Sequence, residues 1–177
     1  MAVDKQRDER HRLEEFLLVY NQAYHRSLRI TDQPDPPDAF CEDSIGRVWI
    51  EETRVHESKE QSRIIEAGQL QVPDQHDYQD RTSFYEAIKL VIERKLGKDY
   101  TRALSTHGRG ILVLFLRIPS FTEEDYQPLV QYLQKNLKLE NEYFKEIFLL
   151  RRSVVARQGL KTYWGIIRVY PSLHIVE

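Results

Sequence analysis

Cysteine is almost missing from this sequence. Cys41 stands alone among 177 residues, so no internal disulfide can form and a disulfide-stapled fold is excluded. The expected home is a reducing, cytoplasmic one. Long apolar runs are missing too. Ile111–Leu116, the longest, falls far short of the roughly 20 residues that a membrane helix needs, so no membrane partner is expected. The opening run Met-Ala-Val-Asp-Lys-Gln-Arg-Asp-Glu-Arg carries charge where a signal peptide carries an apolar core. Positive charge is not in surplus: 26 Lys and Arg against 28 Asp and Glu leave a net charge of -2. That excludes a polybasic binder, because neutralising phosphates takes an excess of cations, and it leaves only a local basic face open. Absent as well are a Gly-rich phosphate loop, a cysteine pair at zinc spacing, His-Glu-x-x-His and Gly-x-Ser-x-Gly. The six histidines are scattered along the chain, and each reads as a surface or packing residue. Cys41 reads as a small buried hydrophobe rather than a nucleophile.

What is present suits one packed domain spanning residues 1–177. Hydrophobic residues make up 41% and charged ones 31%, with a mean hydropathy of -0.59, enough to close a core in a chain near the usual domain length. No internal repeat, low-complexity tract or Gly/Ser linker divides it. Leu13, Phe16, Leu17, Tyr20 and Tyr24 recur at helical spacing and predict an amphipathic helix over 12–24. Pro34, Pro36 and Pro37 then force an extended path through Thr31–Asp38. From Phe40 the texture turns to β, with a turn near 43–46 and a strand over 47–55, a hairpin by its spacing. A helix is expected over 56–68 and a loop over 71–79. Thr82 or Ser83 caps a further helix that runs to about Leu96, with Gly97 as its stop. Gly110–Ile118 reads as a buried strand ended by Pro119. A helix opens at Thr122 with acids in its first turn, and strands follow over 144–150 and 164–170. The order predicts an α/β class, a central mixed sheet flanked by helices.

Two features carry chemistry. Asp38 closes the proline-rich entry into one strand, and Glu51-Glu52 lie mid-way along the next. Carboxylates in a partly buried strand cost several kcal/mol of desolvation unless paired or bound to a cation. Asp38 and one of the two glutamates, on neighbouring strands, could meet at one divalent ion, and Mg²⁺ suits such a site. The plainer meaning is a hairpin edge with its acids in water. In the 83–96 helix, Lys95 follows Ile92 by three residues and Val91 by four, so it shares their apolar face. An ammonium aimed at the core side needs an acid or a phosphate, unless it snorkels from the last turn toward the helix dipole.

Pro37-Asp38 followed by Ile50-Glu51-Glu52-Thr53 resembles the PD-(D/E)XK nuclease superfamily. More narrowly, it looks like a bacterial branch with Ile-Glu-x-Thr in place of the usual (D/E)XK. The matching order, αβββαβ, covers about Arg12 to Ile118 and implies a restriction-endonuclease-like core. In that core the Glu51 strand pairs with the one after Asp38 and with the strand over 111–116. The resemblance implies that Asp38 and Glu51 hold Mg²⁺ (or Mn²⁺), with Glu52 in reserve, and that the Glu52 carbonyl or the Thr53 hydroxyl completes the contact. Where the family has a lysine this chain has Thr53. A lysine relocated to the next core helix fits Lys95, and Lys98 less well because it follows Gly97. Some members add a glutamate from the first helix, for which Glu14 is the match. Strand parity does not choose between the acids: Glu51 shares a face with Trp49 and Val55, Glu52 with Val48 and Ile50.

The function implied is metal-assisted hydrolysis of phosphodiester bonds in nucleic acid. Arg151, Arg152, Arg157 and Lys161, near the connection of two late strands, would grip the substrate. A solvated, charge-balanced loop is the commoner meaning of such a run. The rival reading is an inactive nuclease-like fold serving as a nucleic-acid or protein interaction module, which Thr53 and the acidic total favour. A third is a symmetric oligomer such as a homodimer, acting through assembly.

Overall fold

A strand whose residues are apolar on both faces must be covered on both faces, and the run 111–116 is such a strand. The computed structural model describes residues 2–56, 81–117, 123–155, 161–172 and 174–176. The elements are α1 (Ala2–Tyr24), β1 (Arg29–Asp32), β2 (Ala39–Glu42), β3 (Arg47–His56), α2 (Arg81–Leu96), α3 (Thr101–His107) and β4 (Gly110–Arg117). A 3₁₀ turn (Glu123–Asp125), α4 (Tyr126–Asn136), β5 (Phe144–Val155), β6 (Lys161–Tyr170) and β7 (His174–Val176) follow. Among the described residues the strands form one seven-stranded sheet in chain order, with β4 at its centre. β1, β2 and β3 are antiparallel; β3, β4 and β5 run parallel; β6 and β7 return antiparallel. The chain is thus of α/β class, a mixed sheet flanked by helices. Its Glu51 strand lies between β2 and β4, as expected. No helix among the described residues is long and apolar enough to cross a membrane.

Strand parity divides the core in two. Trp49, Val55, Leu112, Leu114, Leu116, Ile147 and Leu149 face α2, α3 and α4, from which Phe84, Ile88, Ile92, Tyr100, Ala103, Leu129 and Leu133 pack down. The alternate residues Val48, Ile50, Ile111, Val113, Phe115 and Phe148 face α1, which supplies Leu13, Phe16, Leu17 and Tyr20. Burying a side chain of this size contributes about 1.5–3 kcal/mol, so each face of β3 and β4 is held by its own set of helices.

Several elements differ from expectation. α1 begins ten residues before Arg12, because its first turns carry no apolar stripe and lean on pairs such as Arg10–Glu14 at 3.0 Å. β1 ends just before the prolines, overlapping only Thr31 and Asp32 of that segment, as a short, mostly exposed edge strand. α3 is only seven residues long, too short for periodicity to reveal. The helix expected at 122 is a 3₁₀ turn that passes into α4 at Tyr126. β5 and β6 run longer than read, and β7 was not expected. His56 is the last residue of β3 rather than a helix start; the remainder of that expected helix, the 71–79 loop and Pro119 lie outside the described residues.

Two local devices aim β3. In the β2–β3 turn the Asp43 carboxylate accepts from Arg26 at 2.6 and 2.9 Å and from the Ile45 and Gly46 amides at 2.9 and 3.0 Å. The guanidinium, followed by these amides, holds the Asp43 carboxyl well below the usual carboxylate range. At the other side, the fully buried Trp49 donates its indole N–H to the Gly108 carbonyl at 2.6 Å and stacks on Tyr100 at 5.1 Å. A Cβ added at Gly110 would lie 2.3 Å from that indole.

Gly110→Ala is therefore expected to cost about 3 kcal/mol, read as a lower urea midpoint at unchanged slope. A midpoint within error of the parent would mean that Trp49 yields freely. Since the folded-state pKa of Asp43 is depressed, its contribution is present above the unfolded carboxyl pKa and fades as pH falls. Wild type should thus exceed Asp43→Asn in stability above about pH 4, with the gap closing in acid. A pH-independent gap would remove the ionic explanation.

Candidate functional site

Register brings the two acids face to face. Ala39 is paired with Ile50, so the next step along the antiparallel ladder sets Asp38 opposite Glu51, where side chains share a face. That face is the one beneath α2. Asp38 Oδ2 accepts the Glu52 backbone N–H at 2.6 Å, which ties the end of the proline-rich segment to the middle of β3.

α2 delivers the amine. Its buried stripe of Phe84, Ile88 and Ile92 lies on the sheet, and Lys95, one turn after Ile92, is carried down on the same side. The Lys95 ammonium is buried and donates to Glu51 Oε1 at 2.6 Å and to the Glu52 carbonyl at 2.8 Å. Partners of this kind are what a buried charge requires, and snorkelling is therefore not its role. Lys98, in the turn past Gly97, donates to the same Glu51 Oε1 at 3.2 Å, and its side chain is 46% exposed.

Glu51 is almost wholly buried, and its Oε2 accepts no hydrogen bond among the described residues. The Tyr100 hydroxyl is also buried and makes no hydrogen bond of good geometry; burial and the nearby Glu51 push the phenol above its usual range. Burial, and after it the Glu51 charge, push the Asp38 carboxyl up to about 7, against the pull of the Glu52 amide and Lys95. Both lysines contact Glu51, so Asp38 is the less well compensated of the two acids.

Glu52 points the other way. On the α1 face, Arg12 donates to its carboxylate from Nε at 3.1 Å and Nη2 at 2.5 Å, a buried two-pronged pair. The Arg12 guanidinium also lies 5.9 Å over the Phe115 ring. One residue thus engages Asp38 through its amide, Lys95 through its carbonyl and Arg12 through its side chain.

The other expected residues fall as follows. Thr53 is buried in β3 on the same face as Glu51. Glu14 does not join the acids: it is exposed on α1 and paired with Arg10, because the turn that carries Leu13 inward carries Glu14 outward. Arg12 is the α1 residue that reaches β3. It was missed, although its place four residues before Phe16 sets it at the edge of the apolar stripe. Tyr100 was missed with α3 and left no signal. The Glu52 carbonyl, expected with the Thr53 hydroxyl as alternatives to complete a metal contact, accepts from Lys95. Arg151, part-buried in β5, is level with Leu116, and Leu116 with Val55. It therefore lies about 13 Å further along the sheet than Glu51 and two strands across, so the structure does not bring it to the acids. Arg152 and Lys161 hold places in β5 and β6; Arg157 lies outside the described residues. Cys41 is buried, and burial pushes its thiol up to about 12, in keeping with a packing role.

The donor set decides which ion fits. Among the described residues no group of three or more His, Cys, Asp or Glu gathers to hold a metal, which does not suit zinc. Mg²⁺ and Mn²⁺ ask less of the protein: one or two carboxylates, with water and phosphate oxygens completing the shell. The orphaned oxygen of Glu51 and the raised Asp38 both mark a place where such a charge fits. No protein-family model, curated protein or solved structure matches this chain.

Asp38→Asn keeps an acceptor for the Glu52 amide and removes one of two facing charges. In EDTA at pH 7.5 it should be more stable than wild type by on the order of 1 kcal/mol, read by thermal or urea melting. Equal or lower stability would show that the carboxylates do not oppose each other.

Proposed function

We propose that this chain is a divalent-metal-dependent nuclease with the restriction-endonuclease-like αβββαβ core of the PD-(D/E)XK superfamily. The reading rests on one observation, the convergence of Asp38, Glu51 and Lys95 on a single face of the sheet. Acid, acid and amine arrive from the strand entry, the neighbouring strand and the following core helix, the three places that the resemblance implies. The order α1, β1, β2, β3, α2, α3, β4, which is αβββαβ with one short added helix, and the place of β3 between β2 and β4 support it further. Thr53 in the lysine place is answered by Lys95, whose ammonium lies on the Glu52 carbonyl and the Glu51 carboxylate.

In this reading Asp38 and Glu51 hold Mg²⁺ or Mn²⁺, and the bound ion supplies an acidified water and a counter-charge for phosphoryl oxygens. The reaction adds water across one P–O bond of a phosphodiester, leaving a phosphomonoester and a free hydroxyl. The protein's part is preorganisation. Lys95, with two acceptors, fixes the Glu51 side chain. The Glu52 amide fixes Asp38. Arg12 holds the peptide between them from the opposite face, and the half-exposed Lys98 keeps positive charge at the mouth. Strands β5 and β6, which carry Arg151, Arg152 and Lys161, would lie along the path of a bound strand, and Arg157 follows β5 in the sequence.

A second reading, an inactive nuclease-like module, is favoured by Lys95 and Lys98 both already resting on Glu51. One experiment separates the two. At millimolar Mg²⁺ or Mn²⁺ the melting temperature should rise by about 5 °C. Labelled single- and double-stranded DNA and RNA should then be tested for cleavage. Asp38→Asn and Glu51→Gln should each lose the thermal shift and at least about 100-fold of the cleavage rate. An unmoved melting temperature together with intact substrates would leave the interaction module as the function.

A further inference from the structure

Two ammonium groups share one oxygen of Glu51, and they are not alike. Lys95 is nine-tenths covered, sits in the last turn of α2 and has two acceptors at 2.6 and 2.8 Å. Such a group is fixed in place. Among the described residues Lys98 has one longer contact of 3.2 Å, and its side chain is 46% in water. It stands in the turn after Gly97, where its own N–H donates to the Lys95 carbonyl at a long 3.3 Å. Its four-carbon stem can swing the charge into water, where nearly half of the side chain already lies.

Meanwhile the other oxygen of the same carboxylate is buried and accepts no hydrogen bond among the described residues. The positive charge gathered at Glu51 is therefore crowded on Oε1. A divalent ion entering between Asp38 and Glu51 meets one cation it cannot displace and one that it can.

We propose that Lys98 is a removable charge placeholder: it neutralises Glu51 while the site lacks a divalent cation, leaves Oε1 when the cation binds, and then contacts the phosphodiester anion. The proposal rests on the nuclease reading and divides between two lysines the work that the resemblance gives to one. Lys95 keeps the carboxylate in position, and Lys98 meets the substrate. It carries an unusual signature, because removing Lys98 should act in opposite directions on different measurements. Without the competing charge the site should take up metal more tightly. The metal-free protein should be less stable, and substrate cleavage should be slower.

The test uses the full chain as wild type, Lys98→Met and Lys98→Arg, with Mn²⁺ binding followed by electron paramagnetic resonance or calorimetry at fixed ionic strength. Lys98→Met should bind Mn²⁺ about 5- to 10-fold more tightly and melt about 2 °C lower in EDTA. At saturating Mn²⁺ its kcat should fall at least about 10-fold, while Lys98→Arg, which keeps the charge, should recover part of the change in all three. Unchanged or weaker Mn²⁺ affinity in Lys98→Met, with wild type binding the ion and cutting nucleic acid, overturns the placeholder and leaves the nuclease reading standing. Tighter Mn²⁺ binding with an undiminished kcat overturns the phosphate contact. Wild type that binds no Mn²⁺ overturns both the reading and the proposal built on it.

Discussion

The Glu52 peptide is the point on which the arrangement depends. Its amide holds Asp38, its carbonyl accepts from Lys95, and its side chain passes through the sheet to Arg12. A strand interior ordinarily gives its amide and carbonyl to neighbouring strands. Here β2 gives way at Asp38, and a carboxylate takes the place of the next strand residue as acceptor. The site thus begins where the antiparallel ladder stops. That transition, more than any single acid, is what lets buried charge exist in the middle of β3.

Such charge survives because each face of the sheet treats it differently. On the α1 face Glu52 meets one guanidinium in a closed pair, which neutralises it and fixes helix to strand. On the α2 face both lysines contact Glu51, while Asp38 is held by the Glu52 amide, so the positive charge is unevenly placed. Replacing a buried ion pair with apolar residues is often neutral or stabilising. The cluster is therefore not accounted for by stability alone. Low dielectric strengthens the fixed contacts of Lys95, while solvent weakens the contact of Lys98.

Much of this was legible in the letters, for identifiable reasons. β4 was evident because an unbroken apolar run bounded by Gly110 and Pro119 has few other readings. Lys95 was evident because three- and four-residue spacings on a helix fix which side a residue faces. The choice between Glu51 and Glu52 was not, since β3 is buried on both faces and its alternation carries no information. Only the pairing of Ala39 with Ile50 decides which acid lies opposite Asp38. Glu14 was misjudged because flanking an apolar stripe permits either side, and here the helix turns it to solvent. α3, β1 and β7 are short or exposed, held by tertiary contact rather than by pattern. Lys98 was discounted for lying past a helix stop, although a turn is what lets a lysine reach back over the end of its own helix.

One further consequence comes from the indole at position 49 rather than from the charges. The ring fills the volume where any side chain at 110 would start, and it also reaches the loop that leads there through the Gly108 carbonyl. Positions 49 and 110 are therefore not independent letters. A lineage could enlarge 110 only after trimming 49, and trimming 49 would leave Tyr100 without its stacking partner next to Glu51. In sequences that share this fold the two sites should change as a linked pair, with an aromatic at one and glycine at the other inherited together.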